Sequence, residues 1–178
     1  MPTAEFCLPA RPASVRLPKA TLQEVFMRKL LLAAAAAAAL PGTAFAQDPS
    51  DLVDARQGFF TLMGLNIGPL AGMARGEIDY DAARAATHAA NLAALGSYNP
   101  MALFAPGTSN ADLPGETRAL PAIWENTDDV GAKFAAYAEA AQALAAVAGD
   151  GRAEMGAALG AVGQTCQACH DDYRAEDF

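Results

Sequence analysis

The pentapeptide Cys166-Gln167-Ala168-Cys169-His170 lies eight residues from the C-terminus. It closes a stretch in which Met155, Leu159 and Val162 recur at spacings of three and four. Cys166, His170 and Tyr173 continue the same stripe. On a helix, residues three and four apart share a face, so the two thiols and the imidazole point where the other helices bury their apolar sides. Almost no chain follows the trio. Any further ligand for what it holds is therefore expected from the upstream helices.

The upstream chain supplies helices for that purpose. Alanine dominates while tryptophan occurs once, a bias that favours helix over sheet. Residues 49–74 carry Leu52, Phe59, Phe60, Met63, Ile67 and Leu70 at helical spacing, with Pro69 a site for a kink and Gly76 a natural stop. A second helix is predicted from an N-cap at Asp79 to about Gly96. Residues 100–124 then form a long irregular connection rich in Pro and Gly. A third helix starts at Thr127, with Asp128 and Asp129 suited to its N-terminus. Its stripe is Val130, Phe134, Tyr137, Ala141, Leu144 and Ala148. Gly149-Asp150-Gly151 is a turn into the fourth. The expected fold is all-α, an antiparallel four-helix bundle.

The N-terminal part does not belong to that bundle. Arg28 and Lys29 precede an apolar run from Leu30 to Leu40, followed by Pro41-Gly42 and the small-residue site Ala44-Phe45-Ala46. This order is that of a secretory signal, and eleven apolar residues are too few for a membrane span, which needs about 20. Residues 27–46 are read as the signal peptide, with Met27 as the start. Residues 1–26, which include Pro2, Cys7, Pro9, Pro12 and Pro18, are read as a non-native extension. The mature part is then 47–178, with seven basic and eighteen acidic residues and a net charge of −11. Such a chain is a poor binder of nucleic acid or of anionic membranes. It retains two cysteines, both in the pentapeptide.

Three chemistries use two cysteines and a histidine at this spacing. A redox Cys-x-x-Cys needs a helix N-terminus to lower the thiol pKa, whereas here the motif ends a helix. A structural zinc site needs four ligands, and the remaining His88 has no companion at ligand spacing. Covalent haem attachment needs what is present: two thiols for thioether bonds and an adjacent histidine for iron, in an exported chain.

The chain resembles cytochrome c′, the class II c-type cytochromes of purple-bacterial type, from Asp51 to Tyr173. The resemblance is carried by "ARQGFFTLM" in the first helix, "PGTSNADLPGETRALPAIW" before the third, and "GQTCQACHDDYR" at the end. It implies one covalent haem c on Cys166 and Cys169, with His170 as the iron ligand and no protein ligand opposite. It places Phe60 on the distal side, Arg56 and Gln57 near a haem propionate, and Thr117, with Glu116 beside it, against the haem from the loop. Arg56 lies on an apolar stripe, where an arginine wants an anion. Trp124 is expected in the wall. Arg174 is read either as a charge near the proximal ligand or as a surface partner of the helix dipole. His88 is read as an unpartnered surface or interface residue. Gly156, Gly160 and Gly163 would admit the ring or a neighbouring helix.

The function implied is a periplasmic haem protein, not an enzyme, that binds nitric oxide or carbon monoxide, with electron transfer as a second role. The alternative is a six-coordinate electron carrier with Met63 as the second axial ligand. A peroxidase would need distal acid–base groups, and only Thr61 and Asn66 are at hand. The resemblance also implies a homodimer formed through the first two helices. Mass spectrometry of the exported protein should give a chain that starts at Gln47 and carries one haem. A product retaining Cys7 or Arg28 would overturn the export reading.

Overall fold

A computed structural model of the protein describes residues 48–177. The extension read at 1–26 and the signal peptide read at 27–46 lie outside the described residues. Four long helices form the bundle: α1 (Pro49–Arg75), α2 (Ala82–Gly96), α3 (Thr127–Val147) and α4 (Arg152–Tyr173). A 3-10 turn (Pro100–Leu103) and a single α turn (Ala122–Glu125) punctuate the connection between α2 and α3. The only β pairing among the described residues is an isolated antiparallel bridge between Ala119 and Arg174. No described helix is long and apolar enough to cross a membrane.

The helix ends follow local chemistry. Asp48 caps α1 by accepting from the Ser50 amide at 2.9 Å, and Pro49 opens the helix, where its missing N–H costs nothing. Gly76 closes α1 in the left-handed region at φ 76°, with its N–H on the Met73 carbonyl at 3.1 Å. The helix is continuous through Pro69. The cap of α2 is Asp81, not Asp79: its carboxylate accepts from the Arg84 amide at 2.9 Å. Both aspartates precede the same apolar run, and only the second sits three residues before a free amide of the first turn.

Around the square, α1 packs on α2 and α4, and α3 on α2 and α4. The core at its centre comprises Leu70 and Met73 of α1, Ala85, Ala89 and Leu92 of α2, Leu144 and Ala148 of α3, and Met155 and Val162 of α4, all inaccessible to solvent. Small residues bring α2 close to α3, and a Cβ at Gly96 would lie 3.1 Å from the Ala138 Cα. On α1, Val53 is buried outside this cluster, while Leu52 is only half-buried. Of the α4 glycines, Gly156 lies beside a neighbouring helix. A Cβ at Gly156 would meet Ala74 at an ordinary 3.6 Å, and Gly160 and Gly163 face open space.

A second, smaller cluster of Ile123, Val130 and Tyr173 lies under the irregular connection. Phe134 packs on both clusters, Cys166 on the first and Cys169 on the second. The cysteine-bearing turn thus sits at the seam between two cores. Leu144→Ala should destabilise the protein by roughly 2–5 kcal/mol in urea unfolding, the usual cost of a buried leucine in a site that cannot collapse. A loss under about 1 kcal/mol would place Leu144 outside the core.

Candidate haem-binding site

At that seam a cavity of about 610 Å³ opens between α1, α3, α4 and the connection, within the range of enclosed small-molecule sites. Seven of the residues singled out from the sequence line it: Cys166, Cys169 and His170 from α4, Arg56, Gln57 and Phe60 from α1, and Thr117 from the connection. Met63 and Arg174 line it too. Glu116 and Trp124 do not. Trp124 donates its indole N–H to the Phe104 carbonyl at 2.9 Å and so braces a residue that does line the cavity.

The α4 turn presents its groups in neutral form. Burial pushes both thiols up in pKa, and for Cys169 the cation of Lys133 opposes that push. Neither is the activated thiolate of a redox motif, and both lie in the C-terminal half of α4, not at a helix N-terminus. Burial, then the charges of Arg174 and Arg118, lower the pKa of His170. A neutral imidazole is the form that binds a metal. Among the described residues no three His, Cys, Asp or Glu side chains converge as a metal-ion site, which leaves a zinc centre without its ligands.

Arg56 is the one buried charged side chain among the described residues. It is 3% exposed. Its guanidinium donates to the Thr108 carbonyl at 2.8 Å, to the Thr108 and Thr117 hydroxyls at 3.0 and 2.8 Å, and to the Leu103 carbonyl at 3.3 Å. It also lies 4.9 Å from the centre of the Phe104 ring. These acceptors are neutral, and burial lowers the guanidinium's pKa. Beside it, Gln57 donates to the Glu116 carbonyl at 2.6 Å. The two neighbours on α1 thereby fasten the connection against the bundle and leave a buried cation facing an apolar cavity. An acidic group entering there would complete its pairing.

The α1 wall is apolar. Phe60 stacks on Phe134 at 6.4 Å and meets Phe59 edge-on at 5.4 Å, and Met63 is buried. The Thr61 hydroxyl donates back to the Gln57 carbonyl at 2.8 Å. Asn66 is turned toward α2, where its side-chain oxygen meets His88 Nδ1 at 3.1 Å and accepts from Asn91 at 2.9 Å. His88 therefore has a partner, contrary to the sequence reading, because an asparagine 22 residues away leaves no local pattern. The reading also missed Lys133 and Arg118. Lys133 lies three residues after Val130 and four before Tyr137, so it shares the stripe and could have been found. Arg118 sits in irregular chain and carries no periodic signal.

The residues fit a covalent haem: two cavity-facing thiols at Cys-x-x-Cys spacing, an adjacent neutral histidine, an apolar chamber, and a buried cation for a carboxylate. An all-helical bundle with this site defines a class II c-type cytochrome. The family model for cytochrome c′ matches residues 51–174. The chain is 50% identical over 150 residues to a cytochrome c′ from Cereibacter sphaeroides, covering 84% of this chain and 99% of that one. It superposes on a solved cytochrome c′ from Rhodobacter sphaeroides with a TM-score of 0.71 at 49% identity, covering 73% of this chain and 99% of the other. A cytochrome c′ from Alcaligenes xylosoxidans has been solved as a ferrous Arg-to-Lys variant with nitric oxide bound and as a Leu-to-Gly variant with carbon monoxide bound. These superpose with TM-scores of 0.64 and 0.63 at 33% and 34% identity, covering 75% and 74% of this chain and 99% of each. The chain belongs to the cytochrome c′ family, and its cofactor is haem c.

Replacing Cys166 and Cys169 together by alanine should abolish covalent attachment. The check is haem extraction in acidified acetone followed by staining of the denatured polypeptide; stain on the double variant would move the attachment elsewhere.

Proposed function

We propose that the chain is a periplasmic haem protein that binds nitric oxide or carbon monoxide at iron ligated by His170, with electron transfer as a second role and no enzymatic turnover. Cys166 and Cys169 carry the porphyrin. The haem, when bound, would supply an iron for small-ligand binding and one-electron chemistry. The observation that carries the reading is the α1 wall of the cavity, where Phe60 stands in an aromatic stack and offers iron no lone pair. The remaining steps belong to the chain's own side chains. Phe60 and Phe134 exclude water and require a ligand to be small. The Thr61 hydroxyl, spent on the Gln57 carbonyl, gives bound oxygen no hydrogen bond, which favours nitric oxide and carbon monoxide over oxygen carriage. Arg56, with Gln57 and Thr117 beside it, holds a propionate. The nitric oxide and carbon monoxide complexes of the Alcaligenes xylosoxidans relative support the ligand class.

Residues 27–46 serve as the export signal, removed with residues 1–26 or never translated with them. The mature chain forms a homodimer through α1 and α2, a reading supported by Leu62 and Leu65, exposed at 51% and 64% on the outside of α1.

The second reading, a six-coordinate electron carrier, rests on Met63, whose side chain also lines the cavity. Spectra separate the two. The wild type should show high-spin bands near neutral pH and no near-infrared sulfur-to-iron band. Met63→Leu, a volume-conserving change costing less than about 1.5 kcal/mol, should leave the spectrum unchanged. Phe60→Ala should speed carbon monoxide association. A sulfur-to-iron band in the wild type that disappears in Met63→Leu would replace the gas-binding reading with the carrier.

A further inference from the structure

Lys133 projects from α3 to the turn of α4 that bears the cysteines. Its side chain is only 20% exposed, and it lines the cavity. Its ammonium donates to the Ala168 carbonyl, inside the pentapeptide, at 3.1 Å. It pairs with Asp172 at 2.9 Å and with Asp129 on its own helix at 3.7 Å. It also lies 5.8 Å from the centre of the Tyr173 ring, whose hydroxyl donates to Asp129 at 2.6 Å. Ala168 and Asp172 bracket Cys169 and His170, so the contacts grip the attachment turn on both sides. A surface lysine held only by solvent-exposed carboxylates would contribute little. This one is different because its ammonium also donates to a backbone carbonyl of the neighbouring helix while it pairs with carboxylates on both helices.

We infer that Lys133 is a positioning residue for the haem: it fixes the roll of the attachment turn against α3 and sets the balance of charge on the Cys169 side of the cavity. The inference rests on haem attachment at Cys166 and Cys169. Its electrostatic consequence has a definite sign. Ferrous haem carries one positive charge fewer than ferric haem, so a nearby cation favours the ferrous state and a nearby anion the ferric state. The charge of Lys133 is felt at the thiol of Cys169, where it opposes the effect of burial. Losing the lysine leaves Asp129 and Asp172 facing the site uncompensated.

Redox titration of the holoprotein tests this with three variants. Lys133→Met should shift the ferrous–ferric equilibrium toward ferric by threefold to tenfold, the larger figure being a fall of about 59 mV for one electron. Asp172→Asn keeps an oxygen to accept from the ammonium but removes the anion, and should shift it the other way. Lys133→Arg keeps the charge and should stay within twofold of wild type. Opposite shifts in the first two variants support the inference. Shifts in the same direction mean a merely structural clamp and overturn it, as does no shift. If Lys133→Met does not accumulate as holoprotein, the sign in Asp172→Asn decides alone: a shift toward ferrous supports the inference, and any other result overturns it. Haem staining of the denatured wild type keeps the two levels apart. An unstained wild-type chain would fail the attachment reading itself, whereas stained chains with unmoved potentials fail only the role of Lys133.

Discussion

The guanidinium of Arg56 holds together parts of the chain that no helix joins. Burying a charge without a counter-ion is costly, and Arg56 offsets that cost with hydrogen bonds to Leu103, Thr108 and Thr117, all in the irregular connection. Those residues have no ladder of their own to satisfy them. The connection is held again from the far side. The Leu120 amide donates to the Tyr173 carbonyl at 3.1 Å, the Ala175 amide to the Arg118 carbonyl at 2.8 Å, and the Arg118 side chain to the carbonyls of Ala175 and Glu176. One flank of the connection is thus tied to α1 and the other to the end of α4, the two helices that face each other across the cavity. Removing either tie would leave the chamber without one of its walls.

The same arrangement explains why the bundle was legible and the loop was not. Helix stripes are local: Val130, Tyr137 and Leu144 announce α3 through spacing alone, and α3 begins at Thr127 as expected. The pentapeptide announces its chemistry because the thiols, the imidazole and their spacing all lie within five residues. The seven expected cavity residues were legible through motif and resemblance, and they converge in space. What escaped was pairing at long range. Arg56 meets Thr108 and Thr117 across more than fifty residues of sequence, and no periodicity encodes that. Phe59 and Phe60 show the limit within a helix. Both fit the stripe, yet Phe59 is buried and Phe60 is 38% exposed at the cavity edge, because only the packing of neighbouring helices decides which of two adjacent positions faces inward.

Charge is distributed against the grain of the composition. Residues 47–178 carry eighteen acidic residues, but none of the residues lining the cavity is Asp or Glu. Arg56, Arg118, Lys133 and Arg174 line it instead, four of the seven basic residues of 47–178. The acids that approach, Asp129 and Asp172, do so as partners of Lys133. The lining of the chamber is therefore positive although the chain is acidic.

The end of α4 is where these demands meet. The carbonyls of a helix's last turn carry a partial negative charge and need donors or cations nearby. Here Lys133 donates to the Ala168 carbonyl, and Arg174, just beyond the helix, has its guanidinium 3.5 Å from His170 Nδ1. Burial, then the charges of Arg174 and Arg118, push the pKa of this imidazole down. A helix terminus ordinarily fixes its own end with a glycine, but α4 ends without one, at Arg174 in extended backbone bridged to Ala119. The last turn is stabilised by the walls of the cavity it helps to form. The same contacts that finish the helix also hold His170 in place.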